Sequence, residues 1–185
     1  MFKTKLYHTD LIKQCRNQNR KAQLKLYNQY CDAMYNVAFR FMKNSQDAED
    51  VMQEAFIKAF SKINTFKGEV TFGAWLKRIV VNKSIDTLKS VKYNFSELDD
   101  NYLNVVDDNN WEVADEISAE EVKTVISRLP QKYELILTLY LMEGYDHQEI
   151  SQILNITEVN SRTQLLRGKQ KLKELLKQKG NGTGY

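Results

Sequence analysis

Asp47, Asp50 and Glu54 stand at i, i+3 and i+7 in the stretch SQDAEDVMQEAFIKAF, residues 45–60, with Gln53 beside them. On a helix that spacing puts three carboxylates on one face. A di-metal bundle would need its carboxylates turned inward with Glu-x-x-His pairs, and neither His8 nor His147 has a Glu three residues before it. No metal is expected. Two readings of the face stand: a solvated surface, and a docking surface for a basic partner.

A second group lies in FKGEVTFGAWLKRIVVNKSIDTLKSVK, residues 66–92. Phe66, Phe72 and Trp75 crowd the start of a segment that then carries Lys77, Arg78, Lys83, Lys89 and Lys92. Aromatic faces beside a basic helix supply what unpaired DNA bases need, which is π-surface for the bases and cations for the phosphates. Asn82, one turn from Arg78, could hydrogen-bond a base edge or lie on a plain surface. Aromatics at helical spacing also build cores, so both readings of the cluster remain open.

The third group is DHQEISQILNITEVNSRTQLL, residues 146–166. Asp146 with Glu149 forms a capping-box signature, Ile150, Ile153 and Leu154 fall at helical spacing, and Asn155 tolerates the left-handed backbone that ends a helix. Thr157 then caps a second helix, in which Val159, Leu165, Leu166, Leu172, Leu175 and Leu176 mostly follow the helical period. Residues 158–179 hold seven Lys and Arg against two Glu. A basic helix behind a tight turn suits insertion into the major groove with phosphate clamping; it also suits a merely solvated surface. In the groove reading, Asn160, Ser161, Arg162, Gln164 and Arg167 would meet base edges, with Lys171 one turn further on.

Helices must position all three groups. The periodicity predicts helices at about 10–16, 20–42, 46–61 and 72–92 in a first block, and no strand alternation is found. From 94 to about 116 the text NFSELDDNYLNVVDDNNWEVADE loses helical period, and a helix resumes near Ser118. Pro130 suits the first turn of a helix 131–143, which Gly144 can end. The expected architecture is all-α: two small helical domains, 1–93 and 118–179, an acidic linker 94–117, and a frayed tail 180–185.

The 185 residues are 42% hydrophobic and 28% charged, a soluble globular composition. The net charge of +3 hides a division. Residues 1–93 carry 17 Lys and Arg against 8 Asp and Glu, residues 94–121 carry 0 against 10, and residues 122–185 carry 10 against 6. Two basic blocks joined by an acidic strap suggest two modules that meet polyanions. Cys15 and Cys31 lack any CxxC or nearby His and read as reduced core cysteines. The longest apolar run, near 135–142, is far below the roughly 20 residues of a membrane span, and MFKTKLYHTD lacks the core of a signal peptide. A cytoplasmic protein without membrane insertion is expected. With no metal cluster, nucleophile triad or phosphate loop in view, neither an enzyme nor a cofactor is expected.

In order, acidic gap and length, LYNQYCDAMYNVAFRFMKNSQDAEDVMQEAFIKAF, FKGEVTFGAWLKRIVVNKSID, LPQKYELILTLYLMEGYDHQEISQILNIT and SRTQLLRGKQKL closely resemble the extracytoplasmic-function (ECF) group of bacterial sigma factors. These are the promoter-specificity subunits of RNA polymerase, and the resemblance spans about 11–176. It implies that Asp47, Asp50, Gln53 and Glu54 dock on core RNA polymerase. It implies that Phe66, Phe72, Trp75, Arg78, Asn82 and Lys83 hold the downstream promoter element as single-stranded DNA. The helix-turn-helix, with Asn160, Ser161, Arg162, Gln164, Arg167 and Lys171, would read the upstream element as duplex. An anti-sigma factor is implied as a further partner. The acidic strap would thread the polymerase's RNA channel in this family; a solvated linker accounts for the same composition. Many relatives carry Gly at the place of Asn155 and small residues at those of Val159 and Asn160, so the sequence preference of the reading helix does not transfer. A stand-alone helix-turn-helix regulator, which would bind its operator without polymerase, and a helical scaffold are the rival readings.

Overall fold

The computed structural model describes residues 2–90 and 118–180, with side chains over 9–90 and 118–178. The acidic linker expected at 94–117 and the tail beyond residue 180 lie outside the described residues. The chain divides into two compact units, 1–93 and 94–185. Among the described residues every regular element is helical.

In the first unit α1 (Phe2–Arg16), α2 (Arg20–Met42), α3 (Ser45–Ser61) and α4 (Phe72–Ser90) follow one another, with a 3-10 turn at Ile63–Thr65. The turns between them are written in local chemistry. Asn19 Oδ1 accepts the amides of Lys21 and Ala22 at 3.0 and 3.2 Å, so α2 starts there. Lys43 takes the left-handed backbone, φ 57°, that ends α2, and Asn44 then accepts the amides of Gln46 and Asp47 to open α3. Two residues thus reverse the chain. Ala48, Ala55 and Ala59 of α3 are fully buried, as are Leu26 and Ala38 of α2 and Leu76, Val80 and Val81 of α4, and α3 packs against both of those helices. Small side chains at those positions let the helix axes approach. Arg16 donates from Nη2 to the Phe66 carbonyl at 2.6 Å, tying the end of α1 to the loop before α4.

The second unit holds α5 (Ala119–Ile126), α6 (Gln131–Leu137), α7 (His147–Leu154) and α8 (Glu158–Gly180). Ser118 and Glu121 make the capping box that starts α5. The helix expected at 131–143 changes pitch midway: α6 runs into a π-helical stretch, Thr138–Met142, whose Glu143 N–H reaches back five residues to the Thr138 carbonyl. The run LILTLYLM is uncharged, with Thr138 its one small polar residue, and carries no phase from which that widening could be read. Gly144, φ +75°, ends the element where a side chain would be strained. Ile136, Leu137, Leu139, Ile150 and Leu172 form the centre of this unit's core. Gly168 of α8 lies over α6, where a Cβ would sit 3.3 Å from Leu137 and 3.4 Å from Tyr133. Of the two cysteines, Cys15 is in the core as expected, but Cys31 is half-exposed, with its thiol 3.5 Å from Asp32 Oδ1.

Candidate functional site

The first half of α3 is acidic because the helix N-terminus favours negative charge, and its apolar residues fix which side faces outward. Ala48, Val51, Met52, Ala55, Phe56 and Ala59 are buried. Asp47, Asp50, Gln53 and Glu54 are all exposed. Gln53 donates from Nε2 to Glu49 Oε1 at 3.0 Å, and Glu54 forms an ion pair with Lys83 of α4. Ile57, 70% exposed, stands on the same side one turn beyond Gln53 and Glu54. Ile57 falls out of phase with the buried stripe, and that break in the apolar period is the signal by which its exposure is legible in the sequence.

The aromatic group of the second block is brought together, and mostly inward. Phe66 and Phe72 are buried at 7% and 3% exposure, and their rings meet Trp75 at centroid distances of 5.4 and 5.6 Å. Tyr30 of α2 closes the cluster at 5.4 Å from Phe72. Burial takes Phe66 and Phe72 out of the set of rings that can stack on a base in this conformation, and makes them the support of half-buried Trp75. Trp75, Arg78 and Asn82 fall at i, i+3 and i+7 on α4, while Lys83 is turned toward Glu54 of α3.

In the second unit the expected local chemistry is present. Asp146 Oδ1 accepts the Glu149 amide at 2.8 Å and Glu149 reaches back to the Asp146 amide at 3.2 Å. Asn155 takes the left-handed backbone, φ 59°, and Thr157 Oγ1 accepts the Asn160 amide at 3.1 Å to start α8. Two residues of α8 exchange the places expected of them. Ser161, expected at base edges, is fully buried, with Oγ 2.8 Å from His147 Nδ1. Val159, expected in the apolar stripe, is 58% exposed. Arg162 and Lys171 are exposed; Asn160, Gln164 and Arg167 are half-exposed. Gln164 Nε2 donates to Asn160 Oδ1 at 2.8 Å, and Arg162 lies 3.7 Å from Glu158.

His147 is the residue the sequence did not single out as structural. Its ring stacks on Tyr140 at 5.1 Å and bonds Ser161 across the turn, so it joins α7, α8 and the π-helical stretch. Burial pushes its pKa below the ordinary 6.5; Arg162 and Lys169 lower it further, against Asp146 and Glu158, which raise it. Among the described residues no group of three or more His, Cys, Asp or Glu could hold a metal ion, and no helix is long and apolar enough to cross a membrane.

Residues 26–92 match the family model of Sigma-70 region 2, and residues 119–172 match that of Sigma-70, region 4. The chain is 30% identical over 177 residues to the ECF RNA polymerase sigma factor SigW of Bacillus subtilis, across 90% of this chain and 95% of that one. The chain belongs to the ECF sigma factors. It is therefore a promoter-specific factor of transcription initiation, a binding protein for core RNA polymerase and promoter DNA and not an enzyme. A second relative, the ECF sigma factor SigM of Bacillus subtilis, is 30% identical over 151 residues, across 81% of this chain and 92% of its own.

Solved structures share the fold of this sigma factor. The structure of CnrH in complex with the cytosolic domain of CnrY aligns with TM-score 0.53 at 22% identity, across 90% of this chain and 95% of that one. RpoE from Bartonella quintana, in complex with the anti-sigma factor NepR, aligns with TM-score 0.54 at 19% identity, across 83% and 95%. Within the sigma factor the region 2 match covers α3, α4 and most of α2, and the region 4 match runs from the start of α5 into the second half of α8.

Proposed function

We propose that the sigma factor docks on core RNA polymerase through the exposed face of α3, with Asp47, Asp50, Gln53 and Glu54 meeting a basic surface. The observation that carries this reading is the division of α3 itself: one side is fully packed, while the other offers acids around a solvent-exposed Ile57. An acidic rim about an apolar anchor suits a basic partner, since charge steers the encounter and desolvated apolar contact holds it.

In the same reading, domain 1–93 also holds the downstream promoter element as single strand. Trp75 offers the ring for one base, supported from behind by Phe66 and Phe72, while Arg78 and Asn82 on the same side of α4 meet phosphate and base edge. Stacking contributes about 1–3 kcal/mol per base and offsets part of the cost of strand opening. Domain 118–179 reads the upstream element as duplex through α8, with Arg162, Gln164, Arg167 and Lys171 outside the turn. The linker 94–117 joins these functions. The sigma factor works in the cytoplasm with polymerase. CnrH and the Bartonella RpoE were solved with partner proteins, and a partner of the anti-sigma kind is proposed here too.

Binding of the purified chain to core RNA polymerase tests the docking face. Asp50→Lys combined with Glu54→Lys, both on exposed positions, is expected to abolish tight binding while circular dichroism stays unchanged. Equal binding by a folded charge-reversed variant would place the docking surface elsewhere.

A further inference from the structure

We propose that Val159 is a specificity-determining residue of the upstream element, and that it contacts the 5-methyl group of a thymine in the major groove. The inference rests on the reading of α8 as the helix that meets that element.

The phase of α8 is set by its buried residues. Ser161, Leu165, Leu172 and Leu176 are buried, and they recur at helical spacing along the side packed against the rest of the unit. Each residue of a helix turns about 100°, so Val159, two positions before Ser161, points about 200° away from it. Thr163 lies one turn further along the same outward line. The polar residues Arg162 and Gln164 flank that line on its two sides. What faces straight out of the first turn is therefore a valine, 58% exposed, where a folding role would have buried it.

The neighbours leave Val159 as the apolar centre of this surface. Thr163 Oγ1 donates to the Val159 carbonyl at 2.9 Å, so its donor is engaged with backbone. Gln164 Nε2 is held by Asn160 Oδ1, and Arg162 lies beside Glu158. A β-branched side chain in a helix has one strongly preferred rotamer, so the two methyls of Val159 are held in place before any contact forms. In the major groove thymine alone presents a methyl group; the other bases show polar nitrogen and oxygen. Valine against thymine buries methyl on methyl. Against a polar base edge it would strip water from groups it cannot satisfy.

The test uses holoenzyme assembled from the full chain and core RNA polymerase. Duplexes with a randomised upstream element are selected by binding, and the tightest becomes the probe. Its thymines are then replaced by deoxyuridine one at a time, which deletes only the methyl group, and affinity is measured at one fixed salt concentration. Wild type is expected to lose about fourfold at one position, the equivalent of one buried methyl at ~0.8 kcal/mol. Val159→Ala should bind the thymine probe more weakly by a similar factor and show a thymine-to-uracil ratio near one there. Alanine is the stronger helix former, so the variant keeps its fold. A selected element without thymine, a wild type indifferent to every uracil, or a Val159→Ala as sensitive as wild type would each overturn the inference. Arg162→Ala and a scrambled upstream element separate the two levels. If both are neutral, α8 does not read the element at all; if both weaken binding while no uracil does, Val159 alone loses its role.

Discussion

Replacing Phe72 by alanine distinguishes a core aromatic from a ligand platform. Phe72 is 3% exposed and its ring lies 5.4, 5.8 and 5.6 Å from those of Tyr30, Phe66 and Trp75. Truncating a packed phenylalanine costs about 3–5 kcal/mol, a range that already contains the lost ring pairs. Phe72 opens α4, where the chain can settle into part of the space, so the expected loss is near the lower end, ~3 kcal/mol. With urea slopes of about 1–3 kcal/mol/M, the unfolding midpoint falls by at least ~1 M. The chain has two tryptophans, Trp75 and Trp111. In a Trp111→Phe background the remaining emission comes from Trp75, inside the cluster, and reports the first unit alone. A loss below ~1 kcal/mol with an unchanged slope would show that the ring is not packed as described, and would return Phe72 to the base-stacking set.

Two expectations concern the second unit. The pKa of His147 is held below the ordinary 6.5, so the unfolded chain takes up the proton first as pH falls. Stability of this unit is then full above pH 6.5 and is lost as pH drops from there toward the folded-state value. Hydrogen exchange at the Ile150 and Leu165 amides, compared at pH 7.5 and 5.5 after correction for intrinsic rates, should report the loss in wild type and not in His147→Asn. Asp146→Ala removes the cap that receives the Glu149 amide. The α7 amides should exchange faster by the equivalent of about 1 kcal/mol, with Asp146→Asn near wild type; equal exchange in all three would mean that the cap contributes nothing.

Much of the fold was legible because its boundaries are local. The α2 helix runs over 20–42 as its period requires, and Ser118, Asp146, Asn155 and Thr157 act through groups within a few residues of themselves. Where the reading failed, the deciding partner was distant or the signal misleading. The first helix, expected over about 10–16, begins at Phe2, eight residues earlier. Ser161 is buried because His147, fourteen residues earlier, supplies its partner. Val159 is exposed because the inward side of α8 is set by Leu165 and Leu172, whose phase it does not share. Composition could suggest that Phe66, Phe72 and Trp75 lie together; only packing against Tyr30 decides which of them face inward.

Gly168 seats α8 on α6 through a line of the helix that also holds Ser161, Leu165 and Leu172, leaving Val159 and Thr163 on the opposite line. In the reading of α8 proposed above, anchoring and base contact therefore draw on separate letters of the same twenty-three-residue helix. On that proposal, promoter preference is open to rewriting at the outward letters without renegotiating the fold, so one scaffold would be retuned to new control sites by substitutions that stability hardly registers. The converse holds as well. A lesion on the inward line would silence every promoter at once, whereas one on the outward line would redirect the sigma factor among them.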